Sequence, residues 1–531
     1  MKRLLLMVLV ALFAGSCATM SSREQDLISR ALDAMGNADA LAKVKTIAVK
    51  GTTKQWEPEQ SIVASGEMRF ANESTFEAVG DVASRSARVD WVKNFVYPST
   101  RTFSFSEIIT PDAGYVAGID ANNRNKQNLE SNPPGHSMSS LRLAATQREF
   151  RRASPLLLLE MRRNPDRLSA SPDIVVAGAS YPAVNYKAAS DQTFTVMFDS
   201  QTGLPARVRT MDIDNVYGDS TYDLVLSDWR DFGGIKVATS RQYQINGRTI
   251  KEFKITNAAF NAPIAADSFA IPAVAKATAA KPATAGVPYQ WVLRRQIIGT
   301  YLDSENLTFD TRTTSSMRLV EIAPGVQQTA GGGANSLIVE MRDHLIVFDA
   351  PVNDWYSNWV IKAAKEKYPG KPIKYLVLTH HHMDHTGGLR AYAAEGATVV
   401  VGQGNGEHFR KYLAAPFTLN PDLSSRDLSR TPVMEVADKQ VLSDGKREVM
   451  AIVIDNPHAK GLMIGYVSDA RLGFVTDIWS PGRDPLPAKI SQGLASVVNG
   501  VKKAGIQPLT FAGGHGSTMP YALLVALAGG Q

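Results

Sequence analysis

The chain has 531 residues, 44% of them hydrophobic and 20% charged, a composition that excludes a disordered or fibrous protein. Its length suits two or more domains. The net charge of +6 is modest, no dense basic stretch with interleaved aromatics occurs, and Cys17 is the only cysteine. A nucleic-acid partner is therefore not expected, and an intrachain disulfide is excluded.

In chain order, Lys2-Arg3 forms a positive start and Leu4 to Phe13 an apolar run of ten residues. That run is too short to cross a bilayer and fits a signal peptide. The following Ala14-Gly15-Ser16-Cys17 resembles a bacterial lipobox. The resemblance implies a lipoprotein-type signal over residues 1–17 and lipidation of Cys17, since two acyl chains suffice for stable attachment. No acidic residue follows at Ala18-Thr19, which by resemblance to bacterial sorting patterns implies the outer membrane and a periplasm-facing protein. The membrane is thus one expected partner.

Residues 18–272 read as mainly β. Ser22-x-x-Gln25 caps a predicted helix carrying Leu27, Ala31, Leu32 and Met35 on one side. Pro155 interrupts a second helical stretch between Leu141 and Met161. Phe194, Val196 and Phe198 alternate as in a strand, and Asp199-Ser200-Gln201-Thr202-Gly203 is a turn cluster. Asn246-Gly247 between two β-like runs predicts a hairpin, because both residues tolerate positive φ. An opening helix, many antiparallel strands and the ending Phe269-Ala270-Ile271-Pro272 resemble the half-barrel of periplasmic lipoprotein carriers. That implies an apolar concave face able to take an acyl chain; a purely structural or docking β-domain is the competing reading. Residues 273–288, rich in alanine and poor in large side chains, read as a linker. From Tyr289 to Tyr301, Trp291, Leu293, Ile297 and Ile298 recur at roughly helical spacing.

The C-terminal region, residues 289–531, carries the chemistry. The apolar run Ile373 to Leu378 predicts a buried strand, and four imidazoles and a carboxylate follow within His380–His385. Strand ends are where α/β folds place ligands, and imidazole with carboxylate is a donor set for zinc and its first-row neighbours. The spacing His380-x-His382-x-Asp384-His385 resembles the H-x-H-x-D-H signature of the metallo-β-lactamase superfamily. Further motifs follow in family order: Asp349 at the end of an early strand, His458 in Asp455-Asn456-Pro457-His458, Asp477 after Leu472 to Thr476, and His515 in Gly513-Gly514-His515-Gly516.

This resemblance implies an αββα sandwich, and with the N-terminal half an α+β chain overall. It also implies two Zn²⁺ ions, with iron or manganese as alternatives. His380, His382 and His458 would hold the first metal, Asp384, His385 and His515 the second, and Asp477 would bridge them. Asp384 would also carry a proton in catalysis. His381 is expected to support the site rather than ligate, and His136, His344 and His408 to be ordinary residues. The absence of a thiolate donor and the presence of Asp477 resemble the lactonase, glyoxalase II-like and arylsulfatase-like branches more than the β-lactamases. The expected substrate is a small molecule with an ester, lactone or related carbonyl. A β-lactamase-like amide hydrolase and a lipid-binding protein with an accessory hydrolase domain are the alternatives.

Overall fold

In the computed structural model, the described residues are 22–97, 100–120, 134–188, 192–277, 317–332, 334–419, 427–483 and 485–529. Cys17 and the signal-like segment lie outside them, as do residues 278–316 with the Tyr289–Tyr301 pattern.

The N-terminal half builds a sheet of thirteen strands, antiparallel throughout, beside a separate two-stranded ribbon of Ile174–Val176 and Ala179–Tyr181. Its edges are His136–Ser137 and Leu168–Ala170, so the sheet stays open. The first strand, Thr46–Glu57, pairs with Arg248–Phe260, and the two ends of the domain meet in mid-sheet. Period-two alternation sends Phe76, Val89, Trp91, Phe105 and Ile109 to one face. The helix Ser140–Ala153 packs there through Leu143 and Phe150. A second core joins Ile28, Ala31, Leu32 and Met35 of the helix Ser22–Ala34 to Phe194, Val196 and Phe198. The helical stretch breaks at Ser154–Leu156 around Pro155, which lacks an N–H to continue the ladder. Asn246 and Gly247 take φ values of 48° and 81° in the hairpin.

The stretch 273–288 does not begin as a linker. Ala273–Ala277 is a short helix, with Ala275 buried beside Ile108, Ala113 and Ile271 and its carbonyl accepting from Ser137 Oγ at 2.9 Å. The small alanine side chain lets the segment lie close to the sheet.

The C-terminal half is two sheets of seven and six strands. Leu337–Glu340 and Leu345–Phe348 pair antiparallel, and Leu345–Phe348 runs parallel to Ile373–Val377. In the second sheet, Glu448–Val453, Met463–Val467, Leu472–Val475 and Thr510–Gly513 are neighbours. Phe348, Val377, Val400, Met463 and Phe474 fill the space between the sheets. Helices Asp354–Lys367 and Gly406–Ala414 cover one outer face, and Gln492–Ala504 and Tyr521–Gly529 the other. The result is the expected αββα layering, with the chemical residues at the ends of adjacent strands.

Candidate metal centre

Sharp turns at strand ends aim the donors inward. Asp349 and Asp477 both follow strands and take left-handed φ values of 59° and 58°. Such backbone costs about 1–3 kcal/mol per residue and persists only where surroundings enforce it. Here Asp349 is fully buried and accepts from Thr379 N at 2.7 Å, Thr379 Oγ1 at 2.9 Å and His385 Nδ1 at 2.8 Å. The last contact leaves His385 Nε2 facing the centre. Burial raises the Asp349 carboxyl, and His385 and Thr379 oppose that. The turn after the motif is equally tight: a Cβ on Gly387 would stand 2.0 Å from the Val352 carbonyl.

Four donors form one cluster, His380, His382, His458 and Asp477, and four another, Asp384, His385, His515 and Asp477. Asp477 belongs to both. Its Oδ2 lies 3.0 Å from His380 Nε2 and 2.9 Å from His458 Nε2. Its Oδ1 lies 3.2 Å from His385 Nε2 and 2.9 Å from His515 Nε2. Asp384 Oδ2 stands 3.6 Å from His515 Nε2 and 3.7 Å from His385 Nε2. His382 turns Nδ1 toward His458 Nε2, 2.9 Å away. All seven residues named from sequence therefore converge.

The donor chemistry fits a pair of first-row cations. Burial pushes His380 and His382 below the usual imidazole range, and Asp477 opposes this. A neutral imidazole has the free lone pair that a metal needs. Burial alone would raise Asp477, but His385 and His458 hold it well below the carboxylate range. For His515, burial is outweighed by Asp384 and Asp477, which push it up to about 9. Nitrogen and oxygen donors crowded at 2.9–3.2 Å are what a cation of roughly 2 Å bond length accommodates.

The backbone around these donors is tied down. Asn456 Oδ1 accepts from the N–H groups of His458 and Ala459, presenting the His458 ring. Asn335 Nδ2 donates to the carbonyls of Gly513 and Gly516, fixing the His515 loop.

Sequence reading missed a third group, supplied by the N-terminal domain. The segment Pro58–Gln60 is a short 3₁₀ turn at the end of the first strand, and Ser61 follows it into the interior. The Ser61 carbonyl accepts from His381 Nε2 and His382 Nε2, each at 2.9 Å. The second contact fixes the tautomer that leaves His382 Nδ1 free for the centre. Gln60 Nε2 donates to Asp384 Oδ1 at 3.0 Å, and Tyr97 donates its hydroxyl proton to Gln60 Oε1. Arg69 stacks over the Tyr97 ring at 4.6 Å and donates to the His458 carbonyl at 3.0 Å. Ile62 accepts from Lys460 N at 2.7 Å. No residue-type pattern marks this segment; only its dense run of buried polar residues after a strand distinguishes it.

His381 belongs to neither donor cluster; it is buried between Ser61 and His408. His408 is also buried, with Nδ1 2.9 Å from Ser65 Oγ. His344 pairs with Asp343.

Residues 329–519 match the family model of the metallo-beta-lactamase superfamily. No curated protein matches the chain. Among solved structures, a metallo-beta-lactamase from Pontibacter korlensis is 16% identical over 40% of this chain and 100% of its own, with a TM-score of 0.31. The sec-alkylsulfatase Pisa1 from Pseudomonas sp. is 16% identical over 47% of this chain and 44% of its own, with a TM-score of 0.31. Rubredoxin oxygen:oxidoreductase from Desulfovibrio gigas is 18% identical over 40% and 59%, with a TM-score of 0.31. The C-terminal half thus contains a metallo-β-lactamase superfamily domain, and with its donor clusters the chain is a metal-dependent hydrolase.

Proposed function

We propose that this hydrolase domain holds two metal ions, zinc by preference, and cleaves an ester or lactone in the bacterial envelope. The observation that carries the reading is Asp477, which offers one carboxylate oxygen to each donor cluster. His380, His382 and His458 would hold one ion and Asp384, His385 and His515 the other. Bound there, the pair supplies Lewis acidity and a water activated near neutral pH. The chain's own residues do the rest. Asp384, which burial would neutralise but His385 and His515 keep ionised, would take and return a proton at Oδ2 while the Gln60 amide steadies Oδ1. Asp349 keeps His385 in one tautomer, and Ser61 does the same for His382. Tyr97, Gln60 and Arg69 stand against the centre on the N-terminal side, linked to one another and to the His458 carbonyl.

The test is metal-stripped protein reloaded with zinc, iron or manganese and assayed on lactones, aryl esters, thioesters and β-lactams. Two metals per chain and fastest turnover of a lactone or ester are expected. Saturation at one metal, or turnover confined to β-lactams, would overturn the reading. Lipid anchoring at Cys17 is a separate proposal, supported by the apolar run that precedes it. Mass spectrometry of the native N-terminus checks it; an unmodified cysteine there would end it.

A further inference from the structure

The N-terminal domain contains a cavity of about 960 Å³ that the metal chemistry does not use. It lies between the sheet and the segment formed by Ser140–Ala153 and the residues after it. Phe76, Val89, Phe150, Leu159, Phe253 and Ile255 are among its lining residues. Its volume is near the top of the roughly 300–1,000 Å³ range of small-molecule sites, and such sites are mostly apolar with a few polar groups to fix orientation.

The polar groups here are unbalanced. Cationic side chains on the wall outnumber acidic ones six to four. The inner acids are already engaged. Glu107 accepts from Arg142 Nη2 at 2.7 Å and from Trp91 Nε1 at 2.9 Å. Glu149 Oε2 takes two bonds from Arg152, at 2.9 and 2.6 Å. Among the described residues no carboxylate closes an ion pair with four of these cations; Arg85 and Arg163 are exposed to water, whereas Lys251 and Arg241 are partly buried. Lys251 Nζ instead lies over the rings of Trp91 and Phe253, at 4.9 and 4.6 Å. Arg241 reaches only the carbonyls of Ala238 and Ala153, at 3.2 and 3.3 Å.

The two cations are close on the sheet. Tyr243 opposes Lys251 and Arg241 opposes Phe253, so Lys251 and Arg241 are diagonal neighbours on paired strands. Both side chains are half-buried, and drawing charge partly out of water without a bonded counter-charge is costly. Burial, with Lys93 nearby, pushes Lys251 down to about 7. An anion entering the cavity would supply what both groups lack, and the apolar walls require that it bring an apolar body.

We infer that this cavity binds a long-chain carboxylate, with its head group at Lys251 and Arg241 and its tail along the aromatic and aliphatic wall. The inference stands apart from the reading of the metal centre, since neither cation belongs to it. Calorimetry and native mass spectrometry of the full chain, below the micellar range, would compare laurate, 1-dodecanol and acetate. Laurate should bind one to one, at least tenfold more tightly than dodecanol, and acetate should not bind measurably. Lys251→Met and Arg241→Met should each erase most of the preference for laurate over dodecanol while metal content stays at the wild-type value. That metal content also serves as the check on folding. Equal binding of laurate and dodecanol, absence of stoichiometric laurate binding, or a preference unchanged in both variants would overturn the proposal.

Discussion

The two halves of the molecule bury charge in opposite ways. In the C-terminal centre, carboxylates and imidazoles face one another, and His382, His385 and Asp384 each have a second group fixing their orientation. In the N-terminal cavity, Lys251 and Arg241 contact rings and backbone carbonyls, while the nearby Glu107 and Glu149 are bonded to other cations. The first pattern is a site shaped for cations, with several donors held from behind. The second is a site with a surplus of cations, held by weaker contacts. The sign of an uncompensated buried charge thus indicates the kind of partner each half would take.

The sharpest way to break the comparison is Asp477→Asn. It removes the group shared by both clusters, so both metals should leave. Turnover should fall by more than the roughly 10²–10⁴-fold expected for one acid–base group, read by metal analysis alongside kinetics. Asp384→Asn should cost about 10²–10⁴-fold and empty only the second site. Retention of two metals with full turnover in either variant would remove the donor assignment. Gln60→Ala tests whether the N-terminal domain supports the centre. Losing a group that orients a ligand costs about 10–100-fold in metal affinity or activity. The loss should appear in titration of the second metal, and an unchanged titration would make Gln60 a bystander.

His381→Ala should keep both metals and activity within a few-fold of wild type. It leaves a buried pocket and one fewer donor at the Ser61 carbonyl, so a stability loss of about 1–3 kcal/mol is expected in denaturant unfolding. The smallest effect concerns the cationic cavity and depends on pH. Lys251 sits near 7 in the fold against 10.5 in its ordinary state. Between those values the unfolded chain binds the extra proton, so stability rises with pH; below about 7 the full burden is carried. Lys251→Met should therefore raise the denaturation midpoint at neutral pH, and its advantage should fade as pH approaches about 10.5. A difference independent of pH would show that the ammonium is not the source.

The seven donors were legible in the sequence because each sits in a short local pattern at the end of an apolar run. His380 to His385 follow one strand, and Asp477 follows another after Leu472–Val475. Asp349 was legible for the same reason. Gln60, Ser61 and Tyr97 were not. They are ordinary residue types, more than three hundred positions from their partners in the first two cases, and their roles arise from docking rather than from local pattern. Alanine-rich composition after Pro272 fits both a linker and a helix packed at close range. Ala275 shows the second. The cavity's charge balance was likewise hidden, since Lys251 and Arg241 meet only through strand register.

The Gln60–Asp384 contact spans 324 positions of the chain. Contacts of such separation form late, because a long loop must close before they return any stabilisation. His380 to His385 can be placed by their own domain, but the Ser61 carbonyl and the Gln60 amide reach them only once the thirteen-stranded sheet is folded and seated. The finished geometry of the centre is thus shared between the halves: the Ser61 carbonyl and the Gln60 amide, at the end of one strand of the first, meet His381, His382 and Asp384 of the second.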